Sequence, residues 1–560
     1  MFKKTDPNPQ LDIFTAPSMQ LGSRASKKYS DPNAWHNQFY SLVTTKIDEE
    51  IFKPLFPEGK KSGRPNASIR ILVAMSVLKE GFGCSDEDLF EKCEFDLLTR
   101  KALGMELLTD VTPSIDTYYL FRRRICEYQE RTGIDLMQLC FEQLAGKHVH
   151  LLKISGKCVR MDSKLIGSNI ARQSRYELIH TTLVKFLKTC TLTHLSPEQE
   201  ERAKEYLKED SSKTVYRSDS DTLQSNLARI GNFIMEMLAT FPATSPAHDL
   251  LQRLFDEQYA VKDGKAVLRD KKEVKADSLQ NPNDPDATDR AKNDQKVQGY
   301  VTNITETVEE GKPNIITSVL VETAVFADCH FLQEAVENSE RVTDSTIEDL
   351  YADGAYQSPD NREFAKNHNA MQLKTGKMQG GCRWELIPHD EDGLTVREIA
   401  TGNTYEAVKA VTKQGSRKRW RIPWNNKTGW RYFEDKDIKA YQLRKQIESL
   451  PLEEQHKRNN VEAAMFQYSF HTRKGKTRYR GLLKHRMHAY SRCMWMNLRR
   501  MVIFQISTFQ RSIFALFGPI REAFGSFKAI SRKIFTSGAD CYVSLRMTTL
   551  VRLDSKYAPF

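Results

Sequence analysis

A short strand-like segment that carries one carboxylate constrains the fold of this chain more than any other stretch. Residues 159–166 form a mainly apolar run with Asp162 near its middle, and Gly156 and Gly167 bound it. Apolar and polar side chains alternate along the run, which favours a β-strand over a helix. A lone acid on a strand is usually a solvated side chain, but two later acids could meet Asp162.

These two later acids are Asp353 and Glu462. Asp353 ends a second strand-like run, residues 348–353, and Gly354 follows it. Glu462 lies in a stretch with helical character. Two aspartates on strands and a glutamate on a helix can hold two divalent cations, because hard ions such as Mg²⁺ bind carboxylate oxygens. Such a pair can stabilise the attacking and leaving oxygens of a phosphodiester.

The three segments resemble the motifs of DDE transposases of bacterial insertion sequences. The matching residues are Asp162 in VRMDSKLIG, Asp353 in YADGAYQSPDN and Glu462 in RNNVEAAMF, within a resemblance that runs from about residue 63 to residue 500. This resemblance implies an RNase H-like catalytic core. It also implies that the three acids are catalytic and bind Mg²⁺, for which Mn²⁺ can substitute.

The chain departs from the family pattern around its glutamate. Related transposases often carry Tyr-x2-Arg-x3-Glu-x6-Lys, and here Arg458 and Glu462 keep the Arg-x3-Glu part. Gln455 and Ser469 occupy the Tyr and Lys positions. Because Arg458 lies one helical turn before Glu462, we expect it to orient that carboxylate or to contact phosphate.

The N-terminal region predicts a series of helices. Apolar spacing predicts one helix over residues 67–79, which Gly81 and Gly83 would end. Ser85 and Asp88 have the spacing of a capping box that opens a second helix. A third helix is predicted over residues 114–130. Helix, tight turn, helix and basic helix are typical of a helix-turn-helix DNA reader, although a plain helical bundle explains the spacing nearly as well.

A resemblance favours the DNA-binding interpretation of these helices. The run GRPNASIRILVAMSVLKEGFGCSDEDLFEKC is similar to the N-terminal domain of InsH-like transposases, which implies contact with transposon ends. The candidate DNA contacts on the third helix are Arg122, Arg123 and Arg124.

The length of 560 residues indicates several domains. We expect an α/β fold in which an RNase H-like core carries a helical N-terminal domain, a helical insertion and a β-rich insertion. The expected divisions are 1–150 (helical, DNA-binding), 151–171 (first core strand), 172–294 (helical insertion), 295–379 (RNase H-like core), 380–435 (β-rich insertion), 436–505 (core helices with Glu462) and 506–560 (basic C-terminal segment).

Local patterns within these divisions predict individual elements. Strands are expected at 299–304, 315–321 and 371–374, and a helix at about 332–338. Residues 281–286 read as a turn-rich linker that closes the helical insertion. We treat that insertion as an accessory or oligomerisation element. Asp328 and His330 are expected to cap or support the site rather than to bind metal.

Positive charge is concentrated at the C-terminal end of the chain. Residues 451–560 contain 20 Lys or Arg against 6 Asp or Glu, although the whole chain carries only +11. Such a concentration of positive charge indicates a polyanionic partner that binds there. The alternative is a basic tail that only keeps the protein soluble. Five cations after the Glu462 helix are candidate phosphate contacts, or else belong to a solvated loop: Arg473, Lys474, Lys476, Arg478 and Arg480. His485 and His488, further on, are expected to be structural.

A cation- and tryptophan-rich stretch of the β-rich insertion is a second candidate DNA contact. Cations neutralise phosphates, and indole rings stack on unpaired bases. Tryptophan in a β-segment is more often part of a core, so we expect at least one of the three rings to support a base. The candidates are Arg417, Lys418, Arg419, Trp420, Trp424 and Trp430.

The remaining features predict a cytoplasmic, nucleoid-associated protein. The ten cysteines contain no CxxC pair, which fits free thiols in a reducing compartment better than disulfides or a zinc site. The N-terminus lacks the apolar core of a signal peptide. Residues 501–520 are interrupted by Gln505, Gln510 and Arg511, so they read as a packed helix rather than a membrane span.

The resemblance implies cleavage at the ends of an insertion sequence and their joining to target DNA. The partners would be double-stranded DNA and, when two ends are paired, a second copy of the chain. No Gly-x4-Gly-Lys-Ser/Thr loop is present, so use of ATP is not expected. The rival functions are a nuclease of the same fold without strand transfer and a non-catalytic, transposase-derived DNA-binding protein.

Overall fold

The structure is a computed structural model of the chain. It describes residues 2–5, 14–56, 66–242, 245–292, 295–375, 382–389, 393–410, 419–424, 429–449, 451, 454, 457 and 461–523. Within them the protein has a mixed α/β structure, as the sequence predicts.

Helices precede, interrupt and follow the strands. Those before the first strand are α1 (Pro17–Gln20), α2 (Ser23–Tyr29), α3 (Trp35–Leu42), α4 (Ile69–Phe82), α5 (Asp86–Phe95), α6 (Leu97–Leu103), α7 (Ile115–Thr132) and α8 (Leu136–Leu152). Those after it are α9 (Arg175–Leu187), α10 (Pro197–Lys208), α11 (Ser211–Arg217), α12 (Ser220–Thr240), α13 (Pro246–Gln258), α14 (Leu332–Thr343), α15 (Pro359–Asn367), α16 (Asp435–Glu448), α17 (Val461–Ser469) and α18 (Leu482–Ala523).

The strands fall into three sheets. They are β1 (Cys158–Gly167), β2 (Tyr259–Lys262), β3 (Lys265–Leu268), β4 (Thr288–Lys292), β5 (Gln295–Thr307), β6 (Ile316–Thr323), β7 (Asp349–Ala352), β8 (Gln372–Thr375), β9 (Trp384–Pro388), β10 (Leu394–Glu398), β11 (Thr404–Ala410), β12 (Arg419–Trp424) and β13 (Gly429–Glu434).

Local signals in the sequence set the limits of the N-terminal helices. The capping box at α5 is confirmed, because Ser85 and Asp88 exchange side-chain-to-backbone hydrogen bonds. Ser114, the first residue of the third predicted helix, caps α7. Gly83 ends α4 with a left-handed φ of 65°, a conformation that glycine adopts without steric cost. The prediction that Gly81 also ends this helix is wrong, because Gly81 lies inside α4.

The central sheet contains β1, β4, β5, β6, β7 and β8. The long strand β5 lies antiparallel to β1 on one side and to β4 and then β6 on the other. Strand β7 lies parallel to β1, and β8 lies parallel to β7. The order across the sheet is therefore β6–β5–β1–β7–β8, with β4 beside the start of β5. The strands predicted at 299–304, 315–321 and 371–374 correspond to β5, β6 and β8.

Helices α9 to α13 and the β2–β3 hairpin pack around a hydrophobic core of their own. The turns predicted at 281–286 are present, but the segment is packed against the central sheet. The Tyr300 hydroxyl donates to Asp284 Oδ1 at 2.5 Å, and the Ser168 hydroxyl donates to the other carboxylate oxygen. Asp284 is fully buried, so this segment anchors the insertion and is not a free linker.

Strands β9 to β13 form a separate antiparallel sheet in sequential order. Its core consists of apolar side chains from these strands and from α16. This sheet corresponds to the β-rich segment that the sequence predicts.

The long helix α18 brings the remaining elements together. Its buried side chains, which include Met494 and Trp495, join α4, α8, α17 and strands β5 and β6 in one hydrophobic core. The N-terminal helices therefore share their core with the central sheet. None of the helices in the described part of the chain combines the length and apolar character that a membrane span needs.

Candidate active site and nucleic-acid interface

Asp162 lies on β1, and Asp353 directly follows the neighbouring parallel strand β7. The β1–β7 pairing ends with Arg160 opposite Tyr351, and two more residues along each segment lead to Asp162 and Asp353. Because paired strands are about 4.8 Å apart, we expect the two aspartates to lie near each other just beyond the end of this pairing. Asp162 and Asp353 are both half-buried.

The two carboxylates also share one local arrangement. The backbone N–H of Ser163 donates to Asp162 Oδ1 at 2.7 Å. The backbone N–H of Gly354 donates to Asp353 Oδ1, also at 2.7 Å, at the start of the single 3₁₀ turn Gly354–Tyr356. Each bond holds its carboxylate in a defined orientation beside the strand.

A buried polar cluster ties the segments of the two aspartates together. The Tyr356 hydroxyl lies 2.5 Å from Ser163 Oγ, and Asn303 Nδ2 donates to the Tyr356 oxygen at 2.7 Å. Burial, together with the charges of Asp162 and Asp328, holds the pKa of Tyr356 well above its ordinary value. The hydroxyl therefore remains protonated and available for hydrogen bonding. The cluster fixes the position of β1 relative to the turn after Asp353.

Asp328 and His330, which the sequence analysis expects to cap or support the site, have local partners in the structure. Arg290 Nη1 on β4 lies 3.0 Å from Asp328 Oδ1 and forms an ion pair with it. The His330 ring packs edge-on against Phe326, with 5.5 Å between centroids.

Glu462 lies in the first turn of α17, which packs across β1. The buried side of the helix includes Val461, Ala464 and Met465, and Glu462 is exposed on the other side. Among the described residues, no three His, Cys, Asp or Glu side chains form a preformed metal cluster. Arg458 lies outside the described residues.

Lys164 occupies the contact between β1 and α17. It follows Asp162 by two residues, so both side chains project from the same face of the strand. Its ammonium donates to Ser469 Oγ at 2.7 Å, and Ser469 is the position at which the family pattern carries lysine. Burial lowers the pKa of Lys164, although Asp162 acts in the opposite direction. Lys164 on β1 thus places a positive charge next to the Ser469 side chain.

A buried ion pair anchors β1 below the aspartates. Arg160 Nε donates to Glu306 Oε1 at 2.6 Å, and Arg500 Nη1 lies 2.6 Å from Glu306 Oε2. Arg160 also donates to the backbone carbonyl of Lys457 at 2.8 Å. The chain that leads into α17 is therefore bound to the strand that carries Asp162.

The basic segment after α17 divides into two groups. Lys476, Arg478 and Arg480 donate to backbone carbonyls of Ile170, Gly83 and Asn169 at 2.6–2.7 Å. These three cations therefore bind the segment to β1 and to the N-terminal helices. Arg473 and Lys474 lie at an exposed turn, and no ion pair within the described residues involves either of them. These two cations face solvent.

A buried junction joins α4 to α18. The Glu80 carboxylate accepts hydrogen bonds from the Tyr479 hydroxyl and, at 2.7 Å, from His488 Nδ1. Arg492 donates to the carbonyls of Glu80 on α4 and Gln467 on α17. His485 is also buried, with its ring 4.2 Å from that of Tyr300. Both histidines therefore have the structural role that the sequence predicts.

The three arginines of α7 have different surroundings. The Arg122 guanidinium stacks over the rings of Tyr118 and Tyr479, at 5.4 and 5.3 Å from their centroids. It belongs to the junction and is not an open DNA contact, which corrects the grouping made from sequence. Arg123 is exposed beside Glu127, and Arg124 lies over the Phe56 ring. Arg123 is thus the most accessible cation of the three.

The tryptophans of the β-rich sheet differ in exposure. Trp420 is 4% exposed and belongs to the core of this sheet, so the structure corrects its inclusion among base-stacking candidates. Trp430 is 49% exposed, and the Arg421 guanidinium lies 4.3 Å from its ring centroid. Arg419 lies over the Tyr432 ring at 4.0 Å. Arg417, Lys418 and the side chain of Trp424 lie outside the described residues.

The sequence interpretation missed three features of this region. Tyr356 gave no signal, because its partners are distant along the chain. Lys164 could have been noticed from its two-residue spacing to Asp162, which puts both on one strand face. Phe466 could have been noticed from its four-residue spacing to Glu462, which puts both on one helix face.

Residues 28–124 match the model of a protein family described as Transposase domain (DUF772). The match covers α3 to α6 and the first half of α7, and it supports assignment to a transposase family. No curated protein matches the chain, and neither does any solved structure.

Proposed function

We propose that the protein is a DNA transposase that cleaves the ends of its insertion sequence and joins them to target DNA. The parallel β1–β7 register, which ends two residues before Asp162 and Asp353, is the observation that carries the proposal. The transposase-domain match over residues 28–124 supports DNA as the substrate class. The order β6–β5–β1–β7–β8, with two antiparallel and two parallel pairings, supports an RNase H-like core.

The donor chemistry around the two aspartates fits Mg²⁺ or Mn²⁺, because carboxylate oxygens suit these hard ions. Asp162, Asp353 and Glu462 would hold two such ions. When bound, the ions would supply positive charge that activates water, later activates the freed 3′-hydroxyl, and stabilises the leaving oxygen. Glu462 is exposed on α17, so we propose that it approaches the aspartates when DNA and metal bind.

The surrounding cations would position the DNA. Arg458 would orient Glu462 or contact phosphate, and Arg473 and Lys474 would contact phosphates beyond α17. The N-terminal helices would engage the transposon end, with Arg123 as an exposed contact. Because two ends must be joined, the active form would be at least a homodimer on double-stranded DNA.

The test is a reaction of the full-length protein with DNA that carries the element's own ends and a target plasmid, in Mg²⁺ or Mn²⁺. We expect cleaved and joined products. Asp162→Ala, Asp353→Ala and Glu462→Ala should each lower their yield by more than about a hundredfold, because loss of a ligand exceeds the effect of losing a supporting contact. Asp360→Ala, at an exposed aspartate of α15, is the matched control.

Three other outcomes would contradict the proposal. Cleavage without joined product identifies a nuclease. DNA binding without cleavage identifies a non-catalytic DNA-binding protein. Full activity of Asp162→Ala places the active site elsewhere.

A further inference from the structure

The solvent face of α17 and the residue after the helix carry two aromatic rings beyond Glu462. Glu462 and Phe466 are four residues apart, so they lie on one face of α17, and Phe470 directly follows the helix. Phe466 is 63% exposed and Phe470 is 36% exposed. Their rings meet edge to face, with 6.0 Å between centroids and an interplanar angle of 71°. Two contacting phenylalanine rings therefore face solvent next to a proposed catalytic carboxylate.

This exposure leaves substantial apolar surface in water. Full burial of a phenylalanine side chain is worth about 1.5–3 kcal/mol, and the same helix buries Met465 and Tyr468. Single exposed apolar residues are ordinary, whereas contiguous exposed apolar patches mark interaction sites when they are large. The pair is therefore a candidate contact surface.

A tight turn places cations directly after the aromatic pair. Arg473 and Lys476 exchange two backbone N–H to carbonyl hydrogen bonds, each 3.0 Å long. Lys474 and Gly475 between them have φ values of 52° and 72°, as in the two-residue turns of β-hairpins. This turn holds Arg473 and Lys474 in the solvent, close in sequence to Phe470.

We propose that Phe466, Phe470, Arg473 and Lys474 form a strip that binds an unpaired stretch of DNA beside the bond to be cut. Aromatic rings bind bases by stacking, and cations bind the backbone. The strip combines both, and its positive end complements a polyanion. The inference rests on the proposed function, because Glu462 locates the strip next to the reacting phosphate.

The chemistry of the strip favours unpaired DNA over a duplex. Bases inside a duplex stack on one another and present only their edges, so a protein ring reaches a base face only after the base leaves the stack. Lysine and arginine alone would suffice for duplex phosphates. The two exposed rings therefore favour the single strand over the duplex as the ligand.

The test measures binding of the full-length protein to a fluorescein-labelled single-stranded oligonucleotide and to the same sequence as a duplex, in EDTA. We expect Phe466→Ala combined with Phe470→Ala to weaken single-strand binding by at least about fivefold, the low end of the range for base–aromatic stacking. Duplex binding should change little. Phe466→Trp should retain single-strand binding. Tyr216→Ala removes a 91% exposed ring of the helical insertion and should change neither.

Phe466→Leu separates stacking from apolar contact. It keeps apolar surface but removes the aromatic face, so we expect it to weaken single-strand binding as alanine does. Wild-type single-strand binding by Phe466→Leu would overturn the proposal, because it would show that binding needs no aromatic face at this position. Unchanged single-strand binding by the double alanine variant would overturn it directly.

The binding test is independent of the chemistry proposed above. It contains no divalent metal and requires no cleavage. A chain whose three acids proved irrelevant to cleavage could still bind the single strand through the strip. A catalytically active chain could equally fail to bind it, so the two failures are distinguishable.

Discussion

Trp430 and Trp420 lie on adjacent paired strands but have opposite surroundings. Trp420 is enclosed in the core of the β-rich sheet, whereas one side of Trp430 is open to solvent and the Arg421 guanidinium lies over its ring. A ring can stack on a base only if a face is accessible. Among the two candidate tryptophans whose side chains the structure describes, the exposed ring is therefore that of Trp430, and the proposed base contact is assigned to it.

Alanine substitution should separate these two roles. We expect Trp430→Ala to weaken binding of a single-stranded oligonucleotide by at least about fivefold without lowering the Tm. Trp420→Ala should instead destabilise the sheet by about 3–5 kcal/mol, as loss of a buried aromatic ring does. Fluorescence anisotropy and thermal unfolding measure the two effects. Unchanged DNA binding by Trp430→Ala would remove the indole from the interface.

At the scale of residues, the sequence predicts local features better than long-range contacts. It predicts strands that lead to Asp162 and Asp353, and the structure has β1 and β7 there. Arg122 was grouped with Arg123 because sequence alone could not reveal the Tyr479 ring beside it. Long-range contacts of this kind decide whether a cation serves DNA or the interior.

At the scale of elements, the contact of α4 with α18 depends on the absence of a side chain at Gly81. A Cβ placed on Gly81 would lie 2.3 Å from the Trp495 ring, which itself packs against Phe82 and Phe39. Glycine thus permits the close approach of the two helices.

Gly81→Ala tests this approach. Alanine favours a helix interior by about 1 kcal/mol over glycine, but overpacking a core costs about 1–3 kcal/mol and sometimes more. We expect the clash to dominate, so that the free energy of unfolding falls. Urea unfolding measures the change. Gly22→Ala is the control, because nothing lies within 4 Å of the added Cβ. A Gly81→Ala variant as stable as the wild type would contradict the close packing of Gly81 against Trp495.

The contact between α4 and α18 also shows which ends of helices can be predicted from the sequence. The capping box at Ser85 depends on residues three positions apart and was predicted correctly. The role of Gly81 depends on Trp495, far along the chain, and was predicted wrongly. Asp284 is similar, because its partners Ser168 and Tyr300 turn an apparent linker into an anchored segment.

At the scale of the whole molecule, buried histidines should make stability depend on pH. Burial lowers the pKa of His485 to about 3, and it lowers those of His148 and His471 to about 4. The ordinary value is 6.5. Between about pH 6.5 and pH 4 the unfolded chain binds protons that the folded chain does not. Stability should therefore fall as pH falls through this window.

Each such histidine should contribute at most about 1.4 kcal/mol per pH unit. We expect His485→Gln to reduce the slope of Tm against pH in this window. His194→Gln, at an exposed histidine, should leave the slope unchanged. A wild-type slope in His485→Gln would show that this ring is not kept neutral by burial.

The mixed α/β class and most individual elements could be predicted from the order of local patterns along the chain. The shared core around α18 could not, because it joins segments from both ends of the sequence. This core connects the region that matches a transposase domain to α17, and thus to Glu462. Arg492 makes that connection directly, through carbonyls on α4 and α17.

Metal binding tests most directly whether Asp162, Asp353 and Glu462 act as one site. Electron paramagnetic resonance of Mn²⁺ would report ions bound by the full-length protein on a DNA duplex, with the duplex alone as the baseline. Asp162→Asn, Asp353→Asn and Glu462→Gln should each weaken Mn²⁺ binding by at least about tenfold, and Asp360→Asn should bind as the wild type does. Wild-type Mn²⁺ binding by any of the first three variants would contradict a shared metal site.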